Sequence, residues 1–322
     1  MFPVPSSPTS KRRMHSRSAV ERTGLIAEPA FMEEAVFLFV EARVKREGRT
    51  AFEWFYRARD KIYESTPPLR DKRFEDFYRQ AFSRLGLGQL IEAAAEEFPL
   101  LKNPKLRWMV KRVSLERQEG SELYVSERHK TVLVCIQPFR ITDLEHLKVW
   151  LRHELMHISD VLDPAFAYNA KADLGGLTDI ENDLIRDRFR LLWDLYITAR
   201  FLRSGKRTLF PLEKYRHDLA RCTPSWNEQD RSFTFHDVSG KEFITHADLI
   251  AWARYPEGRS GQQAVNRCPF CQFPTFDLVH TFGSEDSPVI QKVYKGHPDW
   301  SPAIGICRQC LDLFRADCTA AL

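Results

Sequence analysis

The chain has 322 residues, 43% of them hydrophobic and 29% charged, with a net charge of +4 at neutral pH. That length suits about two domains with a sizeable core, and the near balance of charge gives electrostatics alone no footing for a nucleic-acid role. The longest apolar stretches, residues 35–40 and 191–197, fall well short of the ~20 residues that span a bilayer, so no membrane segment is expected.

Residues 1–28 are rich in Pro, Ser and Arg, and residues 1–30 hold five basic side chains against two acidic ones. Without an apolar period they read as a disordered basic tail. No apolar run of about 7 to 15 residues follows the basic ones, as a secretory signal requires, so a cytoplasmic protein is expected. Residues 29–99 turn helical, with apolar side chains at three- and four-residue intervals: Phe31, Ala35, Phe37, Leu38 and Ala42, then Phe52, Phe55, Tyr56 and Ile62. They form a helical lead-in.

Strand candidates follow at Leu106 to Val113, Glu122 to Val125 and above all Thr131 to Ile136, almost wholly β-branched or apolar. A short antiparallel sheet therefore precedes the next helix. That helix starts at a capping box, Thr142 with Glu145, and stops before Pro164, which disfavours helix at Asp163. A second strong helix is expected from about Asp179 to Leu202, and shorter ones near Leu212 to Arg221 and His246 to Ala253.

The first of these helices carries Arg152-His-Glu-Leu-Met-His157. Zinc favours imidazole nitrogen, and two histidines four apart on a helix share a face, so His153 and His157 are candidate ligands of one ion. Glu154, turned ~100° around the axis from His153, reaches a metal-bound water without competing for a ligand position and is the candidate general base. Leu151, Leu155 and Ile158 can pack beneath the motif.

These residues resemble the zincin metallopeptidases, whose order of sheet, HExxH helix and a further ligand-bearing helix is recognisable over about residues 104–204. The resemblance implies hydrolysis of peptide bonds by a catalytic Zn2+ on a peptide or protein substrate. Two features depart from the extended-motif and thermolysin-like branches: Asp163 stands where a third histidine would be, and no ExxxD signature follows at the usual short distance.

A catalytic zinc usually has three protein ligands and an open position. Asp194 is the best third candidate, a single carboxylate in Leu191-Leu-Trp-Asp-Leu-Tyr-Ile197, where an unpaired buried charge would cost several kcal/mol. The short zincin pattern completed by an Asp on a following helix is similar. The competing reading pairs Asp194 with Arg190, Arg200 or Arg152, or puts it on an exposed stripe. Glu181, Asp187, Asp160 and Asp163 are reserves, with Asp160 also placed to orient His157. Tyr196, Arg200 and Tyr168 are candidate transition-state stabilisers among which the sequence does not choose.

Seven cysteines occur, four of them in Cys268-Pro-Phe-Cys271 and Cys307-Arg-Gln-Cys310. Paired knuckles in a reducing compartment point to a structural Zn2+ held by four thiolates. The spacer of 35 residues is longer than the usual 15 to 20, and strands at Thr275 to Thr281 and Val289 to Val293 would fold it back. Basic residues nearby are few, so nucleic acid stays open as a partner without support.

The fold class expected is α+β: the tail, the lead-in, a mainly helical zincin-like domain over 100–255 with a short antiparallel sheet, and a small β zinc-ribbon domain over 262–318. The function expected is a zinc metallopeptidase. The alternatives are a catalytically silent zincin-like protein that binds nucleic acid or a protein partner, which would have no need to keep Glu154, and hydrolysis of a non-peptide amide.

Overall fold

The computed structural model describes residues 25–126, 128–176, 178–224, 226–254, 266–272, 274–275 and 278–319. Most of the segment read as a tail thus lies outside the described residues, and its end departs from expectation, because Leu25–Ala27 form strand β1. Three apolar residues are too few to show a period, and this strand is defined by its pairing with a later one.

Helices α1 (Pro29–Glu47), α2 (Glu53–Tyr63), α3 (Pro67–Arg84) and α4 (Leu87–Ala95) follow. Pro29 opens α1 where a missing N–H costs nothing. The i, i+4 rows Phe31, Ala35 and Phe39, and Met32, Val36 and Val40, are buried. Phe37, expected on that stripe, is exposed.

Strands β2 (Leu106–Arg112), β3 (Gly120–Val125) and β4 (Lys130–Ile136) join β1 in the order β1-β2-β4-β3. β1 and β4 run parallel to β2, and β3 alone is antiparallel, to β4. The sheet is therefore mixed, not antiparallel as expected. Residues 113–119 turn the chain back, and the tight turn after β3, closed by Ser126 N donating to His129 O at 3.0 Å, folds β4 between β2 and β3. Strand periodicity shows which face is buried but not this insertion. The buried face carries Leu106, Trp108, Val110, Val132, Val134 and Ile136, and β3 is left as an edge.

Helix α5 (Leu144–Leu162) packs on β3 and α4. Its cap differs from the capping box expected: Asp143 accepts from His146 N at 3.0 Å, while Thr142 Oγ1 donates to Phe139 O. Helix α6 (Asp179–Arg203) starts at Thr178, whose hydroxyl accepts from Glu181 N. It is flanked by α7 (Leu212–Cys222), α8 (Glu228–Gly240) and α9 (His246–Ala253). One continuous core runs from Phe31 to Ala253, so the four amino-terminal helices share it with α5 and α6.

The cysteine-rich end has its own smaller core around Cys268, Val289, Val293, Trp300, Ile306 and Leu311. It contains β5 (Asn266–Arg267), β6 (Pro274–Thr275), β7 (Leu278–Val279), α10 (Ser287–Gly296), β8 (Ile306–Cys307) and α11 (Arg308–Thr319). This corrects the small β domain expected. Val289 and Val293, read as a strand from their β-branched side chains, lie four apart on α10, where both are buried. The chain is thus α+β and mostly helical, with eleven helices among the described residues. No helix among them is long and apolar enough to cross a membrane.

Candidate metal centre

α5 and α6 together build the first site. His153 and His157 project from the same face of α5, and Asp194 comes from α6. Asp194 Oδ1 lies 3.2 Å from His153 Nε2 and 2.9 Å from His157 Nε2. Ligand atoms of all three residues fall within 4.8 Å of one another. Two donors each ~2.05 Å from a tetrahedral ion stand ~3.3 Å apart, close to both carboxylate–imidazole distances, so the three residues could hold a small divalent ion.

Asp194 itself is not enclosed by its apolar neighbours, as the sequence suggested. Leu192, Leu195 and Tyr196 are buried, while the Asp194 side chain is 38% exposed and lines a cleft. Burial pushes its carboxyl up, but the two imidazoles outweigh that and hold it well below the usual carboxylate range. For His157 burial opposes the charged ring, yet Asp194 and then Glu154 raise its pKa. The arginines considered as partners are engaged elsewhere: Arg200 forks onto Asp160, Arg152 onto Glu97, and Arg190 lies 3.7 Å from Asp187.

The reserve carboxylates are placed away from the histidine pair. Asp160 accepts from Trp193 Nε1 at 2.8 Å as well as from Arg200; it reaches His157 through Trp193, whose ring meets His157 edge-on at 4.6 Å, and through its charge. Glu181 receives Arg267 at 3.1 Å. Asp163 accepts from Ala165 N in the turn after α5. Of the candidate stabilisers, the Tyr196 hydroxyl donates to Glu242 O and accepts from Ile244 N, Arg200 is held by Asp160, and Tyr168 alone lines the cleft.

Glu154 is fixed by the edge strand. Its Oε2 accepts from Ser121 N at 3.1 Å, and its backbone carbonyl accepts from Ser121 Oγ at 2.7 Å. Gly120 before it has φ 151°, and a Cβ there would stand 3.6 Å from Glu154 Oε2. Space is adequate, so it is the backbone conformation that calls for glycine. The strand is anchored in turn by Glu119, whose buried carboxylate takes Arg140 Nε at 2.7 Å and Gln137 N at 2.9 Å. Motif spacing gave no hint of Ser121, Glu119 or the cleft-wall residue His246, because each reaches the cleft through the fold.

The cleft has a volume of about 1170 Å³ and runs between residues 117–123 on one side and α6, α9 and residues 168–174 on the other. Glu154, His157 and Asp194 lie along it.

The second site gathers Cys268, Cys271, Cys307 and Cys310, which can hold a metal ion. Cys271 Sγ and Cys307 Sγ are 3.8 Å apart, the separation of two sulfurs each ~2.3 Å from a tetrahedral ion. Cys307 N donates to Cys268 Sγ and Cys310 N to Cys307 Sγ, both at 3.4 Å. Burial raises the Cys268 thiol, but backbone N–H donors from Cys307, Cys271 and Phe270 bring it below the usual range. Burial beside the other sulfurs pushes Cys310 up. Four such sulfurs cannot all ionise together without a cation to offset them.

Fold and site together define an α+β, mostly helical protein with two clusters of metal-ligating side chains. Compared with known proteins, the chain matches no family model, no curated protein and no solved structure.

Proposed function

We propose that the chain is a zinc-dependent peptidase. The observation that carries this reading is the convergence of His153, His157 and Asp194 beside Glu154 on the floor of an open cleft. A zinc ion held by the first three residues would supply Lewis acidity and lower the pKa of a water toward neutrality. Glu154 would take a proton from a water whose oxygen bonds to the amide carbon, and would give it to the departing amine as the C–N bond breaks. The edge strand supports a peptide as substrate: no strand pairs with β3 on the side away from β4, and beyond Ser121 N, which Glu154 holds, an extended chain can be laid along such an edge.

The four-cysteine module takes a second zinc that is closed and structural, since all four ligands come from the protein. Two CxxC pairs gathered as one candidate metal site suit a reducing compartment such as the cytoplasm, where thiols bind metal sooner than they form disulfides.

The test combines metal content with proteolysis. Purified protein should hold two zinc ions, one stripped readily by chelator and one retained. Glu154→Gln should keep both and lose cleavage of an unfolded protein substrate by at least about 100-fold, in line with removal of a general base. A single tightly held ion, or a Glu154→Gln protein as active as the native one, would overturn the proposal.

A further inference from the structure

Beyond His157 the cleft wall is aromatic. Trp193 meets the His157 ring edge-on and is surrounded by Phe166 at 5.2 Å, Phe189 at 5.4 Å and Tyr168 at 5.9 Å between ring centroids. Its one polar atom, Nε1, is turned onto Asp160, so its ring serves as an apolar surface. Behind these rings stands His246, with centroids 4.8 Å from Tyr168, 5.1 Å from Phe189 and 6.0 Å from Phe166, all steeply inclined.

His246 is only 5% exposed, yet it lines the cleft. Its backbone N–H, at the start of α9, donates to Phe166 O at 2.8 Å. Its imidazole makes no hydrogen bond to any described residue, and burial disfavours its charged form. A neutral imidazole has one N–H donor and one acceptor nitrogen, and with no described residue bonded to either, a polar group of a ligand in the cleft can meet them. Substrate is the ligand the cleft is open to.

We infer that this recess is the specificity subsite of the cleft, taking the side chain next to the scissile bond and selecting an aromatic ring with a hydrogen-bonding tip through His246. The inference rests on the peptidase reading for the scissile bond, and on the rings and His246 for the selectivity. The placement beside the bond follows from Trp193, which is in direct contact with a metal ligand. The Tyr168 ring, 38% exposed at the cleft with the buried Trp193 stacked behind it, accepts a ring by stacking. A phenol both donates and accepts, so it can meet His246 in either tautomer, whereas a phenyl ring leaves the imidazole unmatched. A site built to bond a hydroxyl rejects the analogue lacking it. Tyrosine is therefore preferred over phenylalanine, and both over small or charged side chains.

The experiment uses the full-length zinc-loaded protein. A complex peptide mixture is digested and the cut sites are mapped by mass spectrometry; matched peptides differing only at the selected position (Tyr, Phe, Leu, Lys) then give kcat/KM. Tyrosine should be enriched beside the cut bond and favoured over phenylalanine about tenfold. That ratio should fall to near one in His246→Phe and remain above one in His246→Gln, each checked for its zinc content. A native ratio near one, or a ratio unchanged in His246→Phe, overturns the inference.

Binding separates this from failure of the peptidase reading. The tyrosine and phenylalanine peptides are titrated against the Glu154→Gln protein, which needs no turnover. Tighter binding of the tyrosine peptide without cleavage by the native protein would sink the peptidase reading and keep the selectivity. Cleavage without any tyrosine preference would sink the subsite alone.

Discussion

Glu97 ties together the two helices that supply the first metal cluster, and its removal offers a quantitative test. The carboxylate, just after α4, takes a forked pair of 2.8 Å bonds from Arg152, which directly precedes His153 on α5, and a 3.0 Å bond from Lys206, just after α6. Arg152 first, against the cost of burial, and then Lys206 hold its pKa at about 2, below the usual 4.5. At 1.36 kcal/mol for each tenfold change, that displacement corresponds to about 3 kcal/mol. Because Lys206 and part of the carboxylate meet solvent, screening reduces the expected contribution to about 1–2 kcal/mol. The pKa is lower in the folded state than in the unfolded chain, so the stabilisation is fully present above about pH 4.5 and is lost as pH falls toward about 2. Urea unfolding of native and Glu97→Gln proteins at fixed zinc should therefore differ by about 1–2 kcal/mol at pH 7, and the difference should shrink below about pH 4 and close near pH 2. Other carboxylates titrate in both proteins and cancel in the difference. A gap below about 0.5 kcal/mol at pH 7, or one that persists unchanged to pH 2.5, would refute the clamp.

Asp194→Ala should weaken the chelator-labile zinc by 10-fold or more while leaving the second ion in place; competition with a zinc-binding dye measures this, and unchanged affinity would move the third ligand elsewhere. Asp160→Asn strips the partly buried Arg200 of its carboxylate and should cost about 2–3 kcal/mol in chemical unfolding, with a loss under about 1 kcal/mol showing that Arg200 finds water instead. Cys310→Ser should release one zinc and expose the amides of α10 and α11 to hydrogen exchange, while α1 and α5, which belong to the other core, keep their protection. Equal deprotection of both cores would show that they are not independent.

The local chemistry was more legible than its assembly. His153 and His157 could be paired from spacing alone because a helix fixes which residues share a face, and both CxxC pairs from the softness of thiolate ligands. The ground on which the sequence singles out Asp194 differs from what the structure shows: the apolar residues beside it point into the core, and the carboxylate meets the histidines at the cleft, partly exposed. The parallel placement of β4 beside β2 depends on the β3–β4 hairpin docking on β2 through its second strand, a long-range choice that alternation along each strand does not carry. Val289 and Val293 misled because β-branched side chains were weighed above their four-residue spacing. His246 was invisible as a cleft residue, since only the fold of α9 against Phe166, 80 positions earlier, brings it there.

The bond from Ser121 N to Glu154 has a consequence for how the molecule behaves in company. A bare sheet edge is a template on which identical chains stack strand upon strand. β3 is such an edge, but one of its outward amides is taken by a side chain from a different element, and Glu122 adds a charge one residue on. Two copies approaching edge to edge would have to surrender that bond and bring two carboxylates together. The residue proposed as the base thereby also keeps the molecules apart, and a Glu154→Ala protein would be the more prone to self-association in concentrated solution.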